Sequence, residues 1–309
     1  MVKKIFLFTT VILFAGLTGF FGRQYYDQYQ NVKHERQLKN AREASWNELR
    51  HRINDEIKEF KGEAGIVIKD LQTGCEFSYN KAKLFPSASL AKIPIMAASF
   101  LAADQGRIKL DRNIALKGSD KLTGSGALKD MPSGTTFSVE RLIGLMIYDS
   151  DNTATNMVTN TVGMDYLGKA FKNFGLKNTD LSRKIADYKS RDNGIENYTT
   201  AEDMALLLEK MYGRNLGNKS VSEKCIAMLK LTRMNDRIPK YLPVETIVAH
   251  KTGLEKEVCH DVGIVFTSKG DFIICILIKH ANSNSVPSKE LIAKISMHTY
   301  GYFIGLKKQ

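Results

Sequence analysis

Three short clusters in this chain hold residue types suited to acyl transfer: Ser89-Leu90-Ala91-Lys92, Ser150-Asp151-Asn152 and Lys251-Thr252-Gly253. A serine hydroxyl is a poor nucleophile at neutral pH and needs a neighbouring base. A lysine amine is such a base only when neutral, and burial beside a second cation lowers its pKa toward that state. Lys92 and Lys251 fit these two roles, the first as base and the second as a cation that tunes it and holds substrate. Ser150 offers a hydroxyl able to pass a proton to a leaving nitrogen. Asn152 carries both a donor and an acceptor, enough to orient a substrate amide or Lys92. The backbone N–H of Ser89 at a helix start, with an N–H from the strand after Lys251, would make an oxyanion hole.

Each cluster alone has a plainer reading as a helix cap or a turn. A second Ser-x-x-Lys occurs at Ser78 and Lys81, but Ser78 falls in a strand-and-turn segment. Ser89 instead opens LAKIPIMAASFLAA, which has the length and small apolar character of a buried helix. That helix puts Ser89 and Lys92, at i and i+3, on one face. The clusters follow one another at separations of 61 and 101 residues, so three different elements can bring them to one cleft.

Other chemistries find less support. No G-x-S-x-G elbow accompanies the six histidines, and His250 and His260, which flank Lys251-Thr252-Gly253, read as structural. Cys75, Cys225, Cys259 and Cys275 are scattered and form no CxxC pair. Cys259, His260 and Asp261 are consecutive, which in an extended segment turns them to opposite faces and speaks against a metal site. No metal or other cofactor is expected. The formal charge of +12 favours anionic surroundings such as acidic lipid or cell-wall polymer. Nucleic acid is not the expected partner, because no RNP-like aromatic cluster, zinc-finger spacing or phosphate loop joins the basic residues.

The elements that must position these groups can be laid out along the chain. Lys3 and Lys4 precede the apolar run 5–21, which is closed by Gly22 and Arg23. Residues 1–22 read as an export signal, and the lack of small-residue cleavage sites favours an uncleaved anchor with everything after Arg23 outside the cytoplasm. Residues 23–45 are polar and read as a stalk. From Trp46 the apolar positions Trp46, Leu49, Ile53, Ile57 and Phe60 keep helical spacing and open a domain expected to fill 46–309. GIVIKDLQTGCEFSYN reads as a hairpin turning at Gln72-Thr73-Gly74. TIVAHKTG, VGIVFTS and DFIICILIKH give three more strands, the last two turning at Lys269-Gly270, and the final segment returns to helical spacing. With strands from both ends and a mostly helical middle, about 89–231, the expected class is α+β, a helical subdomain inserted into a sheet-containing one. A cleft between them is the natural place for a site.

On these motifs the chain resembles the class A β-lactamase and penicillin-binding-protein family over about residues 46–307. LFPSASLAK is similar to the family's approach to its nucleophile helix, YDSDNTATN to its second motif, and Gly124-Ser125-Gly126 to a loop between them. The resemblance implies a β-lactamase/transpeptidase-like fold, a five-stranded antiparallel sheet flanked by helices. It implies that Ser89 forms an ester with a β-lactam or a D-alanyl-D-alanine peptide of the cell wall. It also implies that Leu254 N–H is the second oxyanion donor, that Thr252 and Gly253 line the substrate site, and that Arg237, in NDRIPKYLP, reaches a substrate carboxylate beside Lys251. One departure stands out. Family members that deacylate efficiently carry a glutamate after a Leu-x-Arg, and with Leu181, Arg183 and Thr199-Thr200 as fixed points that position falls on Ile185. Asp187 and Glu196 are the nearest carboxylates in this loop, and slow deacylation is the expectation. The alternatives that follow are a penicillin-binding-type carboxypeptidase or transpeptidase, and a tethered binding module without turnover.

Overall fold

The computed structural model describes residues 42–281 and 284–305, with Arg23, residues 28–30 and Lys33 before them. The expected anchor, residues 1–22, lies outside the described residues, as does most of the 23–45 stalk. The chain separates into two compact units, Met1–Arg52 and Ile53–Gln309. The boundary falls inside a first helix, α1, over residues 42–59. The helical spacing expected there is met, with Trp46, Leu49 and Ile53 buried.

The larger unit is built on a five-stranded antiparallel sheet. Strand β1 (Glu63–Asp70) forms a hairpin with β2 (Glu76–Tyr79), with Ile66 opposite Tyr79 and Ile68 opposite Phe77. Short β3 (Phe85–Pro86) enters a 3-10 turn, Ala88–Ala91, that runs into α2 (Lys92–Asp104). Next come β4 (Asn113–Ala115), β5 (Thr136–Ser138), α3 (Val139–Tyr148), α4 (Asn152–Val162) and α5 (Met164–Asn173). A long loop carrying α6 (Tyr188–Asp192) and β6 (Tyr198–Thr199) leads to α7 (Ala201–Tyr212) and α8 (Lys219–Leu229). The chain then returns to the sheet as β7 (Ile247–Glu255), β8 (Val258–Phe266) and β9 (Phe272–Lys279), and closes with α9 (Val286–Ile304). The strand order is β2-β1-β9-β8-β7, so an early and a late strand of the chain meet at the β1–β9 pair and β7 is an edge.

The sheet is covered on both faces, which explains why β9 reads as an unbroken apolar run. Alternate residues of a strand point to opposite faces. Ile273, Cys275 and Leu277 join the core formed with α2, α3, α4 and α7. On the other face Phe272 stacks on Phe303 of α9, with ring centroids 4.7 Å apart. Helix α2 is buried almost all round, from Lys92 to Phe100, which matches its small apolar composition. Pro94 sits in its first turn, where a missing N–H costs little. The inserted helical region is thus held to the sheet through a helix that begins at Lys92, directly after the turn carrying Ser89.

Candidate active site

Ser89 lies in the 3-10 turn between β3 and α2, partly exposed, and Lys92 is the first residue of α2. Two backbone bonds set this entry: Ser87 N–H donates to Asn197 O at 2.8 Å and Leu90 N–H to Ser87 O at 2.9 Å. Ala88 is held at φ 45°. A residue with a Cβ adopts this region rarely, and such strain is found where the surroundings enforce it. The competing Ser78 is exposed on β2, and Lys81 pairs with Glu76 and Glu202. The rival motif is therefore a surface feature.

The second cluster is the junction of α3 and α4. Ser150 sits there at φ 53°, and Asp151 caps α4 by accepting from Ala154 N–H at 2.8 Å. The other oxygen of Asp151 accepts from Leu128 N–H at 2.9 Å. Asn152 Nδ2 donates to Thr123 O at 3.1 Å, and Asn152 N–H donates to Ser125 O at 3.0 Å. The loop of residues 123–126 is thereby moulded onto the junction. Gly126 is at φ 100°, and a Cβ there would overlap the Asp151 carboxylate.

Ser150 joins the three clusters. Its Oγ lies 3.0 Å from Ser89 Oγ, 3.1 Å from Lys92 Nζ and 3.0 Å from Lys251 Nζ. Lys92 also donates to Ser150 O at 2.6 Å and to Asn152 Oδ1 at 2.9 Å, and Lys251 donates to Thr252 O at 3.0 Å. Both lysine side chains are fully buried. Burial, reinforced by the charge of Lys251, holds Lys92 well below the usual lysine range, while Asp151 and Glu255 oppose the shift. Burial likewise lowers Lys251 to about 7, against the pull of Asp261 and with help from Arg237.

Donor counting fixes how such a site can work. A neutral Lys92 amine has two N–H groups and one lone pair. Ser150 O and Asn152 Oδ1 only accept, so they take the two N–H groups and leave the lone pair for the Ser150 hydroxyl. Ser150 Oγ accepts from Lys251 and donates to Ser89 Oγ; once its hydrogen turns to the Lys92 lone pair, Oγ is free to accept from Ser89. The hydrogen bonds thus connect Ser89 to Lys92 through Ser150, where the sequence suggested a direct Ser89–Lys92 partnership.

The third cluster lies on β7. Thr252 and Gly253 are buried, and Leu254 is 46% exposed at the sheet edge, where β7 has a strand partner on one side only. A Cβ at Gly253 would stand 3.4 Å from Ala88 Cβ, so this strand passes close against the turn that carries Ser89. Arg237 is 1% exposed. Its Nε donates to Cys259 Sγ at 3.4 Å, one terminal nitrogen lies 3.4 Å from Asp236, and both terminal nitrogens lack a hydrogen-bond acceptor. The flanking histidines are bound into the fold. His260 Nδ1 accepts from Ile278 N–H at 3.1 Å, which leaves Nε2–H to donate to Pro86 O at 2.9 Å, and burial lowers this ring to about 4. His250 Nδ1 is 2.9 Å from Asp261, whose other oxygen accepts from Ile238 N–H at 3.1 Å.

The loop between the second and third clusters is pinned beside the turn that carries Ser89. Its β6 strand pairs with β3, placing Phe85 opposite Thr199 and Pro86 opposite Tyr198. Arg183 and Glu196 form a buried ion pair at 2.6 Å across its neck, and Asn197 exchanges two hydrogen bonds with the backbone of Arg183. Ile185 is buried, and Ala186 follows at φ 60°. Asp187 is committed to Ser190, accepting from its N–H at 3.1 Å and its hydroxyl at 2.7 Å. Glu196 is committed to Arg183 and to Asn197 N–H. One carboxylate was overlooked in the sequence: Glu255, at the end of β7, lies 3.5 Å from Arg191 of α6. Stepping by two from Lys251 would have placed it on the same strand face.

A sheet flanked by helices, with a serine on a strained turn and two buried lysines meeting at a second serine, defines a β-lactamase-like serine hydrolase. Residues 48–303 match the model of the beta-lactamase enzyme family, and the chain belongs to that family, in its class A. It is 25% identical over 276 residues to beta-lactamase VEB-1 of Pseudomonas aeruginosa, covering 84% of this chain and 92% of that enzyme. To the extended-spectrum beta-lactamase PER-1 of the same organism it is 24% identical over 240 residues, 72% of this chain and 77% of the other. Among solved structures, a beta-lactamase from Sphaerobacter thermophilus matches with a TM-score of 0.75 at 28% identity, covering 80% of this chain and 93% of that one. PBP-A matches with a TM-score of 0.77 at 27% identity, covering 84% and 97%. A mutant of PBP-A, solved as an acyl-enzyme complex with penicillin G, matches equally well.

Proposed function

We propose that this chain forms an acyl-enzyme on Ser89 with β-lactams or with D-alanyl-D-alanine-type peptides of the cell wall. The observation that carries the reading is the convergence of Ser89, Lys92 and Lys251 on the Ser150 hydroxyl. The Ser89 proton passes to Ser150 Oγ as Ser150 gives its own to neutral Lys92, and Ser89 Oγ bonds to the carbonyl carbon. The amide C–N bond then breaks, and the proton on Lys92 returns through Ser150 to the leaving nitrogen. The N–H groups of Ser89 and Leu254 receive the oxyanion, and Asn152 orients the substrate amide. Thr252, Gly253, Lys251 and Arg237, whose terminal nitrogens make no hydrogen bond within the domain, bind the carboxylate that both substrate classes carry.

A second reading within this chemistry, a penicillin-binding-type peptidase, is favoured by the likeness to PBP-A and by a loop whose carboxylates are committed elsewhere. A chromogenic cephalosporin and a fluorescent penicillin separate the readings. Rapid colour change marks a β-lactamase, stable labelling of Ser89 marks a penicillin-binding enzyme, and neither response refutes the acyl-enzyme. We further propose that residues 1–22 tether the catalytic domain outside the cytoplasmic membrane, as the leading lysines and apolar run suggest. Recovery of the full-length protein free in the cytoplasm would refute this.

A further inference from the structure

The acyl-enzyme reading leaves hydrolysis without a base in the loop, because Ile185, where the family resemblance implies a glutamate, is a buried aliphatic side chain and both nearby loop carboxylates are held by local partners. A carboxylate does reach this region from the opposite side. Glu255 is the last residue of β7, and strand alternation puts it on the face of Lys251 and Gly253, the face turned to the nucleophile turn at Ala88. Its side chain is 22% exposed, so it is both enclosed and within reach of water. The charges that act on it come from each neighbouring element: Arg183 and Glu196 from the loop neck, Lys92 from α2, and Arg191 from α6, which it contacts at 3.5 Å. It therefore joins the strand that passes the turn of Ser89 to the loop that carries Ile185.

We propose that Glu255 is the general base of deacylation, acting from β7 in place of the missing loop glutamate. The proposal rests on the acyl-enzyme reading and gives it a second half-reaction. A water molecule gives a proton to the Glu255 carboxylate as its oxygen bonds to the acyl carbon. The tetrahedral intermediate collapses, the bond from carbon to Ser89 Oγ breaks, and Oγ takes a proton from Ser150, which takes one from the Lys251 ammonium bonded to it. The proton on Glu255 then returns to Lys251 by way of solvent, leaving free serine and a carboxylic acid. Burial and the neighbouring Glu196 raise the Glu255 carboxyl above the ordinary carboxylate range, which makes it a stronger base, while Arg183 and Arg191 act in the opposite direction.

The test uses the full-length protein, treated with penicillin G and followed by intact mass spectrometry. Glu255→Gln keeps the size and a hydrogen bond to Arg191 but cannot take a proton. Its Ser89 adduct should form at the normal rate and persist roughly 100-fold longer or more, the usual contribution of a general base. Glu255→Asp should fall between, and Asp187→Asn should match the unaltered protein. Equal adduct lifetimes in Glu255→Gln and the unaltered protein would overturn the proposal while leaving the acyl-enzyme intact. So would Arg191→Met slowing deacylation as much as Glu255→Gln, since Glu255 would then be only a tether for α6. No adduct on Ser89 in any variant would overturn the acyl-enzyme reading and this one with it.

Discussion

Removing the Ser150 hydroxyl separates the role of the relay from the stability of the site. Ser150→Ala deletes one oxygen, and with it the contacts of 3.0 Å to Ser89, 3.1 Å to Lys92 and 3.0 Å to Lys251. The amines keep other acceptors: Lys92 retains Ser150 O and Asn152 Oδ1, and Lys251 retains Thr252 O. No charge is left without a partner, so the fold should tolerate the change. Acylation should not. A proton relay contributes about 10²–10⁴-fold, or roughly 3 to 5 kcal/mol of barrier. Because residue 150 is at φ 53°, Ser150→Gly should lose the same rate yet be more stable than Ser150→Ala by about 1 kcal/mol. Stopped-flow labelling with a fluorescent penicillin gives the rate, and denaturant melts give the stability. Acylation by Ser150→Ala within threefold of the unaltered protein would refute the relay and imply a direct transfer from Ser89 to Lys92.

Two further outcomes follow from the charges and the packing. Lys251 sits at about 7 in the folded chain against an ordinary value of 10.5, so the unfolded chain binds the extra proton between these limits. Folding stability should rise with pH from about 7 toward 10 by this contribution, while acylation should fall above about 7 as the cation that holds substrate is lost; pH-dependent melts and labelling rates of Lys251→Arg, which stays charged, should show neither trend. Gly126→Ala should cost about 1–3 kcal/mol in a denaturant melt and slow labelling, because its Cβ overlaps the Asp151 carboxylate at a positive φ. An unchanged melt would mean that the 123–126 loop does not set the position of Asp151.

Much of the fold was legible because its signals are local and periodic. The hairpin of β1 and β2, the apolar runs of β7 to β9 and the helical spacing from Trp46 each follow a repeat that the chain writes out. The three clusters were legible because their residue types are matched to one chemistry. What was hidden depends on where side chains aim. Ser150 could be named but not recognised as the joint, since its meeting with Ser89, Lys92 and Lys251 needs the α3–α4 junction, the start of α2 and β7 brought together across 61 and 101 residues. Asp187 and Glu196 looked available in the sequence because their hydrogen bonds to Ser190, Arg183 and Asn197 depend on the loop's own turns. Strand β8 begins at Val258, four residues before the segment that reads as a strand, because Cys259, His260 and Asp261 are polar yet find buried partners. Glu255 could have been placed by counting in steps of two from Lys251, but the sequence alone does not say which loop that face meets.

Peptide mapping after penicillin G treatment locates the acylated residue. A mass gain of one penicillin is expected on the peptide containing Ser89, lost in Ser89→Ala and kept in Ser78→Ala. A Ser89→Ala protein that still gains that mass, or an adduct mapped to the peptide containing Ser78, would contradict acylation at Ser89.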